Sequence, residues 1–353
     1  MIINGTLAPE ERISLKLRSL YETYGYMKYR MSKFENYDLY AENRAFLPGG
    51  GIITFTDNGG NLLAMKPDVT LSIANSLPQG IPVSEKIYYS ENVYRIPSGS
   101  KEYKEIMQLG IECIGDIDLY SSCEVLSLAV KSLAAITDDY ILDISHIGFI
   151  SGILAQTNLS SADKERLIAY INRRDAHDIT KLCDDNEVSH EIKEILCTLT
   201  ELYLPISKGI EKAKQLDVSE DTNLALRELE MIAEVMDEAG LADKIYLDFS
   251  VADNVSYYDG VKFKGYVNGI FSPVLAGGSY GNLLKKLKKR AGAIGFAVYM
   301  DLLSEYGDAS NKADDIETLV YDKNDDPAEI MKRAEALRKA GKAVRVVKEA
   351  EKC

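Results

Sequence analysis

The sequence contains no tryptophan, only three histidines, and five cysteines that never form a Cys-x-x-Cys pair. Zinc sites and histidine-based triads need several such residues grouped together, and these histidines are too few and too dispersed to suggest either. The odd, dispersed cysteines do not predict a disulfide framework. We expect reduced, structural cysteines and no metal ion. The residues concerned are His146, His177, His190, Cys113, Cys123, Cys183, Cys197 and Cys353.

Positive charge is also scarce, as is any long apolar run. The 353 residues include 41 Lys and Arg against 55 Asp and Glu, a net charge of −14. Nucleic acids are bound largely through basic side chains that neutralise phosphates, so an acidic surface is a poor site for them. No stretch approaches the ~20 apolar residues of a membrane span, and the N-terminus lacks a secretion-signal pattern. We expect a cytoplasmic protein without nucleic-acid or membrane partners.

The order of secondary-structure signals predicts a main domain and a small extension. Residues Asp57–Asn61 join two β-rich runs as a hairpin turn, because Asn and Gly tolerate positive φ. Residues 157–242 follow an almost continuous helical pattern, which predicts a helical insertion, and 292–306 are also expected to be helical. Residues 316–347 are typical of a βαβ unit. We predict a main domain over 1–312 and a βαβ extension over 313–353.

Four ordered segments look like the active-site segments of class II aminoacyl-tRNA synthetases of the histidyl type. The resemblance implies an α+β fold, in which helices flank a six-stranded antiparallel sheet that carries an amino-acid site. It also implies a two-fold dimer, and Ser32 stands where the family has a proline in its dimer motif. The segments are Ala64–Thr70 (AMKPDVT), Tyr88–Arg95 (YYSENVYR) with Gln108–Glu112 (QLGIE), Tyr257–Phe263 (YYDGVKF), and Leu275–Leu284 (LAGGSYGNLL) with Ile294–Ala297 (IGFA).

By resemblance, this site binds histidine. A zwitterionic imidazole amino acid needs an anion for its ammonium, a cation for its carboxylate and polar partners for its ring. Asp68 and Gln108 match the ammonium ligands, with Thr70 in support, and Arg95 can reach the carboxylate. The remaining matched positions are Glu112 and Tyr258 for the imidazole, Tyr257 beside them, and Gly277 with Gly278, whose small size leaves room for the ligand.

Five of these residues also have a purely structural interpretation. Asp68 precedes a predicted helix, where aspartate is a favoured N-cap. Gln108 and Glu112 have the same parity on one strand, so both could face solvent. Tyr257 and Tyr258 could be ordinary strand aromatics, which are common in sheets.

Several positions depart from the synthetase pattern where ATP activation needs charge. Leu302 replaces the motif 3 arginine, and Asp253 replaces a catalytic arginine with the opposite charge, beside the site of an anionic transition state. Pro97 stands where a carboxylate would recognise adenine, and Lys104 replaces an arginine that can bind phosphate bidentately. These departures predict that the chain does not activate histidine.

Loss of activation with a retained histidine pocket resembles the regulatory subunits that accompany short-form ATP phosphoribosyltransferase. The resemblance implies a hetero-oligomer in which the partner carries the chemistry of the first step of histidine biosynthesis. This chain would then sense histidine for feedback inhibition, without a cofactor of its own. The alternatives are an active histidyl-tRNA synthetase or synthetase-like enzyme that activates histidine with ATP, and a binding module for an unrelated partner.

Overall fold

The structure, a computed structural model, describes residues 7–47, 51–77, 85–96, 101–252, 257–304, 316–322 and 324–348. The chain divides into two compact units, residues 1–306 and 307–353. The domain boundary predicted at residue 312 lies outside the described residues. So do Pro97 and Asp253, two of the positions at which the sequence departs from the synthetase pattern.

Helices and strands alternate along the first unit, and a strand–helix–strand segment forms the second. The helices are α1 (Pro9–Thr23), α2 (Tyr37–Glu42), α3 (Val69–Ser76), α4 (Leu119–Ile136), α5 (Ile147–Ala155), α6 (Ser161–Asn172), α7 (Ala176–Asp185), α8 (His190–Glu201), α9 (Ile206–Ala213), α10 (Glu220–Glu238), α11 (Gly281–Lys286) and α12 (Pro327–Lys339). The strands are β1 (Met27–Lys28), β2 (Phe34–Asn36), β3 (Thr54–Thr56), β4 (Leu62–Met65), β5 (Glu85–Arg95), β6 (Lys104–Gly115), β7 (Tyr140–His146), β8 (Tyr203–Pro205), β9 (Ile245–Asp248), β10 (Val261–Val267), β11 (Leu275–Ser279), β12 (Gly292–Tyr299), β13 (Ile316–Tyr321) and β14 (Ala343–Lys348).

The central sheet has nine strands in the order β1-β5-β6-β12-β11-β10-β7-β9-β8. The six strands from β5 to β7 in this order are all antiparallel to their neighbours, which confirms the predicted core of the sheet. Strand β1 pairs with β5 in parallel, as β9 does with β7, so the complete sheet is mixed. The two outermost strands have only two and three residues, too few to show a pattern in the sequence.

Residues 292–299 form strand β12, so the helix predicted for 292–306 is wrong over most of its length. Ile294, Phe296 and Val298 are all buried and belong to one core cluster. Their spacing of two residues is that of a strand, in which alternate side chains point to the same face. Among the residues described up to 304, the strand is followed by the short 3-10 helix Met300–Leu303.

The two faces of the central sheet have different partners. On β6, Leu109 and Ile111 are buried in a core shared with helices α1 and α4, whereas Gln108 and Glu112 face the opposite side. By length and composition α4 is apolar enough to cross a membrane, but 61% of it is buried inside the structure. A helix that packs on a sheet needs such an apolar surface, so α4 is a core helix.

The segment predicted as a helical insertion contains helices α6 to α10 and the short edge strand β8. Arg174, in the turn between α6 and α7, connects these helices to the sheet. Its guanidinium donates to Asp248 Oδ2 at 2.7 Å and to the carbonyl oxygen of Thr200 at 3.0 Å. Because the Asp248 side chain is buried, this charge-assisted contact is stronger than a surface ion pair.

Two smaller sheets lie outside the central one. In the first unit, strands β3 and β4 form the predicted hairpin, and β2 completes a three-stranded sheet in the order β2-β4-β3. The hairpin turn is held by Asp57, whose Oδ1 accepts hydrogen bonds from the backbone N–H of Gly59 and Asn61, both at 2.8 Å. In the second unit, β13 and β14 form a parallel pair, and α12, which connects them, contacts β14. The small C-terminal βαβ unit is therefore confirmed.

Helix α9 packs closely on strand β9 through Gly209, and this contact can be tested. A Cβ atom at Gly209 would lie 2.6 Å from Leu247 Cβ. Gly209→Ala should therefore destabilise the protein by about 1–3 kcal/mol through overpacking. In a helix with free space at that position, the same change would instead raise the stability by up to ~1 kcal/mol. Urea unfolding measures the difference, and the exposed Ser207→Ala in the same helix serves as control. Equal or higher stability of Gly209→Ala would contradict this close contact.

Candidate functional site

A cavity of about 610 Å³ lies over the polar face of strands β6, β12, β11 and β10. Eight of the nine residues predicted to bind histidine line it, although they come from five separate parts of the chain. Only Gly278 is not among the lining residues. The lining members of the predicted set are Asp68, Thr70, Arg95, Gln108, Glu112, Tyr257, Tyr258 and Gly277.

Small residues in register across the sheet make the floor of this cavity. Ala297 and Ala276 lie side by side on β12 and β11, and both line the cavity. In the next row Gly295 is paired with Glu112, and a Cβ atom on Gly295 would lie 1.9 Å from Glu112 Oε2. Gly295 is therefore required for the Glu112 side chain to lie over the sheet.

Glu112 is the most completely buried acid of the cavity, with 2% of its surface exposed. Its Oε1 accepts a hydrogen bond from Thr70 Oγ1 at 2.8 Å, and its Oε2 accepts one from the Tyr280 hydroxyl at 2.7 Å. Burial raises the pKa of Glu112 from 4.5 to about 8, against the opposing effect of these two donors. The carboxyl is therefore largely protonated at neutral pH.

Asp68 is the N-cap of α3, as its structural interpretation proposed. Its Oδ1 accepts a hydrogen bond from the Leu71 N–H at 2.7 Å. Burial raises the pKa of Asp68, while the Leu71 hydrogen bond and the positive charge of Arg95 act in the opposite direction. The cap fixes the carboxylate where α3 begins, and the same side chain lines the cavity. Capping and ligand binding are thus compatible in one residue.

Gln108 and Glu112 do not face solvent, so that interpretation is wrong. They are 4% and 2% exposed and line the cavity together. Their parity does place them on one face of β6, but that face is covered by α3 and by the segment around Tyr257 and Tyr258.

Tyr257 and Tyr258 lie in the loop before β10, so they are not strand aromatics. Their ring centroids are 4.7 Å apart, and Tyr257 lies 5.9 Å from Tyr280 and 5.8 Å from Phe46. The Lys262 ammonium lies 3.6 Å from the centroid of the Tyr258 ring, a cation–π contact. These contacts hold the loop over the cavity.

The two glycines of β11 leave room for protein atoms, a use of their small size that the sequence analysis did not predict, and their role in leaving room for the ligand stays a prediction. A Cβ atom on Gly277 would lie 2.4 Å from Phe296 Cβ, on the apolar face of the sheet. One on Gly278 would lie 2.8 Å from the Tyr258 ring. Gly278 therefore acts on the cavity by allowing Tyr258 to pack against the strand.

Sequence analysis missed several lining residues. Tyr280 directly follows strand β11 and donates a hydrogen bond to Glu112. Its position after the glycine-containing strand was the sequence feature that could have identified it. Lys262 and Lys264 alternate on β10 and both line the cavity. Their spacing of two residues was a usable signal, because it puts both on one face of a strand.

The charges of the cavity bear on ATP activation. Leu302 does line the cavity at the place expected for an arginine, so that position supplies no charge. Cationic groups are nevertheless present, since Arg95, Lys104, Lys262 and Lys264 all line it. The cavity is therefore not depleted of positive charge, and the loss of the activation residues stays a prediction from the sequence.

Comparison with known proteins agrees with this architecture. A family model described as histidyl-tRNA synthetase matches residues 5–303. An ATP phosphoribosyltransferase regulatory subunit from Acetivibrio thermocellus is 25% identical over 339 residues, covering 94% of this chain and 81% of the relative. One from Clostridium kluyveri is 29% identical over 344 residues, covering 92% and 85%.

A crystal structure of an ATP phosphoribosyltransferase regulatory subunit/histidyl-tRNA synthetase from Bacillus halodurans superimposes with a TM-score of 0.76 at 25% identity, covering 98% of this chain and 89% of that one. The resemblance predicted from the sequence is confirmed. The names of the curated relatives favour a regulatory subunit over an active synthetase. Because the family model spans most of the chain, the protein belongs to the histidyl-tRNA synthetase family.

Proposed function

We propose that this chain is a non-catalytic regulatory subunit of a short-form ATP phosphoribosyltransferase and that it binds histidine in the 610 Å³ cavity. The observation that carries the proposal is the convergence of Asp68, Gln108 and Glu112 on one cavity of a chain whose curated relatives are named regulatory subunits. The cavity volume lies in the range of small-molecule sites.

The cavity offers a partner to each polar part of histidine. Asp68 and Gln108, with support from Thr70, would hold the ammonium, and Arg95 would hold the carboxylate. Glu112 and Tyr258 would address the imidazole. A protonated Glu112 can donate to an imidazole nitrogen, which discriminates against side chains that lack an acceptor there.

The same cavity is poorly equipped to activate histidine with ATP. The place of one phosphate-binding arginine is taken by Leu302, and by resemblance Asp253 removes another. The lysines are not equivalent replacements, because an ammonium cannot bind phosphate bidentately as a guanidinium does. Lys262 is engaged over the Tyr258 ring. We infer that the partner carries out the reaction and that this chain makes no catalytic contribution of its own.

Regulation requires that histidine binds two states of the complex with different affinity. The resemblance supplies a partner for this, the short-form catalytic subunit, within a hetero-oligomer in which this chain also pairs with itself. A cytoplasmic location accords with a biosynthetic role, and the acidic surface gives no reason to propose an RNA ligand.

Asp68→Asn tests the role of the Asp68 charge in histidine binding without removing the N-cap of α3. Asparagine caps helices as well as aspartate does, so the stability of the protein should not change. The lost charge should weaken histidine binding by about tenfold to 100-fold, because hydrogen bonds to charged groups contribute about 1.5–3 kcal/mol. Isothermal titration calorimetry measures the affinity and thermal unfolding the stability.

The matched control is Asp175→Asn, which alters the N-cap of α7 in the same way. Its affinity for histidine should equal that of the wild type. Unchanged affinity in Asp68→Asn would mean that the ammonium is held elsewhere.

Glu112→Gln tests the protonation state of the buried carboxyl. The pKa of Glu112 is about 8 in the folded state, above the ordinary value of 4.5, so the bound proton stabilises the folded state. This stabilisation is fully present below pH 4.5 and is lost as the pH rises through 8. Relative to Glu112→Gln, the wild type should lose a few kcal/mol, on the order of 1.4 per pKa unit, across this window.

Urea unfolding at several pH values measures the two slopes. The comparison between variants removes the contribution of Asp143, whose pKa burial raises to about 7. Exposed Glu194→Gln is the control and should follow the wild type. Parallel curves for Glu112→Gln and the wild type would contradict a protonated Glu112.

Co-expression with a short-form ATP phosphoribosyltransferase tests the regulatory role. The complex should turn over ATP and phosphoribosyl pyrophosphate faster than the catalytic subunit alone, and histidine should inhibit it. A complex with Asp68→Asn should remain active, with an inhibitory histidine concentration raised by about tenfold or more. If no complex forms and activity is unaffected, the chain is not this regulatory subunit. Histidine-dependent exchange of pyrophosphate into ATP by the purified chain would instead support the synthetase alternative.

A further inference from the structure

Asp259 joins the two segments that carry tyrosines at the imidazole end of the cavity, although it is not among the residues predicted to bind histidine. It directly follows Tyr258, which lines the cavity. Its Oδ1 accepts a hydrogen bond from the N–H of Gly281 at 3.1 Å, and its own N–H donates to the carbonyl oxygen of Ser279 at 3.0 Å. Residues 279 and 281 flank Tyr280, so Asp259 holds the backbone on both sides of this tyrosine.

The two tyrosines act on different parts of the proposed imidazole site. Tyr258 would address the ring directly, whereas Tyr280 donates to Glu112 Oε2 at 2.7 Å and so fixes the other imidazole partner. The separation of Tyr258 and Glu112 has to match the ring, because hydrogen bonds weaken steeply when their angles depart from the optimum. Asp259 contacts both segments and is therefore placed to set this separation.

The carboxylate of Asp259 reaches Gly281 only because this residue has no side chain. A Cβ atom on Gly281 would lie 2.6 Å from Asp259 Oδ2, and the three atoms nearest to it would all belong to the Asp259 carboxyl group. The ammonium of Lys285 lies 3.8 Å from Oδ2, but the Lys285 side chain is 72% exposed, so this ion pair contributes little. The hydrogen bond from Gly281 is thus the main contact of the carboxylate.

We propose that Asp259 is a positioning residue of the histidine site: by accepting the Gly281 N–H it fixes Tyr258 relative to Glu112, and so fits the cavity to an imidazole ring. This inference rests on the proposed function, since it assumes that histidine binds in this cavity. It requires a hydrogen-bond acceptor at residue 259 rather than a negative charge. If the carboxylate served only to begin α11, its loss would lower the stability of the protein and would not act through Tyr258.

The segment stays attached to the domain without the Asp259 side chain. The backbone hydrogen bond to Ser279 does not involve that side chain, and the carbonyl oxygen of Gly260 accepts one from the Ile147 N–H at 2.9 Å. The Lys262 ammonium also lies over the Tyr258 ring. Removal of the carboxylate should therefore displace Tyr258 without unfolding the protein.

Asp259→Ala tests the positioning role in the full-length chain. Its affinity for histidine, measured by isothermal titration calorimetry, should fall by about tenfold, as expected for one weakened hydrogen bond in the site. In a Tyr258→Phe background the same change should alter the affinity by less than about twofold, because the hydroxyl through which it acts is absent. Thermal unfolding checks that each variant is folded.

Two further variants separate the acceptor from the charge and from the space that it occupies. Asp259→Asn keeps an oxygen that can accept the Gly281 N–H, so its affinity for histidine should stay within about threefold of the wild type. Gly281→Ala should weaken histidine binding in the wild-type background, because its Cβ displaces the carboxylate. In the Asp259→Ala background Gly281→Ala should have no further effect, since the atoms with which it collides are gone.

The matched control is Asp175→Ala, which removes a carboxylate that accepts the Asp178 N–H at 3.0 Å at the start of α7. It should lower the stability of the protein and leave the affinity for histidine unchanged.

The outcomes separate this inference from the proposed function. If the wild type does not bind histidine, the proposed site and the positioning role both fail. If the wild type binds and Asp259→Ala binds equally well, the positioning role alone is wrong. If Asp259→Ala weakens binding by the same factor with and without the Tyr258 hydroxyl, its effect does not pass through Tyr258, which also overturns the proposal.

Discussion

The pleat of the central antiparallel sheet is the constraint on which the rest of this structure depends. Successive side chains of β6, β12 and β10 point to opposite faces, so one face is apolar and packs on α1 and α4. The other face carries the polar residues of the cavity. A shift of one residue in any of these strands would exchange the two sets, placing Glu112 in the apolar core. The same packing that stabilises the fold thus fixes the positions of the residues that line the cavity.

Much of this arrangement was accessible from the sequence, because ordered motifs identify a fold more reliably than local patterns do. The six antiparallel strands followed from resemblance, the β3–β4 hairpin from the turn signal Asp57–Asn61, and the C-terminal βαβ unit from its strand and helix patterns. Local periodicity alone failed at β12, where Ile294, Phe296 and Val298 alternate as in a strand but the surrounding small residues are equally compatible with a helix. Strands β1 and β8 are too short for any pattern, and pairing with a long neighbour defines them.

The candidate site was predicted as a set of residues but not as a geometry. Motif positions brought together eight residues that line one cavity, yet they did not show what each glycine does. Gly278 makes room for Tyr258, and Gly295 makes room for Glu112, across strands that are distant in sequence. Such close approaches depend on register, which a single strand does not reveal. The raised pKa of Glu112 likewise arises from burial by elements that only the complete fold assembles.

The histidine-binding role proposed for Asp68, added to its observed role as the N-cap of α3, bears on how this protein evolves. A residue that served only to contact histidine would drift freely in a lineage in which feedback control had lost its value. Asp68 also caps α3, so most replacements there reduce the stability of the domain whether or not histidine matters. Selection on folding therefore preserves a capping side chain at this position, and asparagine or serine satisfies it as aspartate does. If the proposed histidine site lost its carboxylate in this way, a single substitution at a position that still caps α3 would restore it.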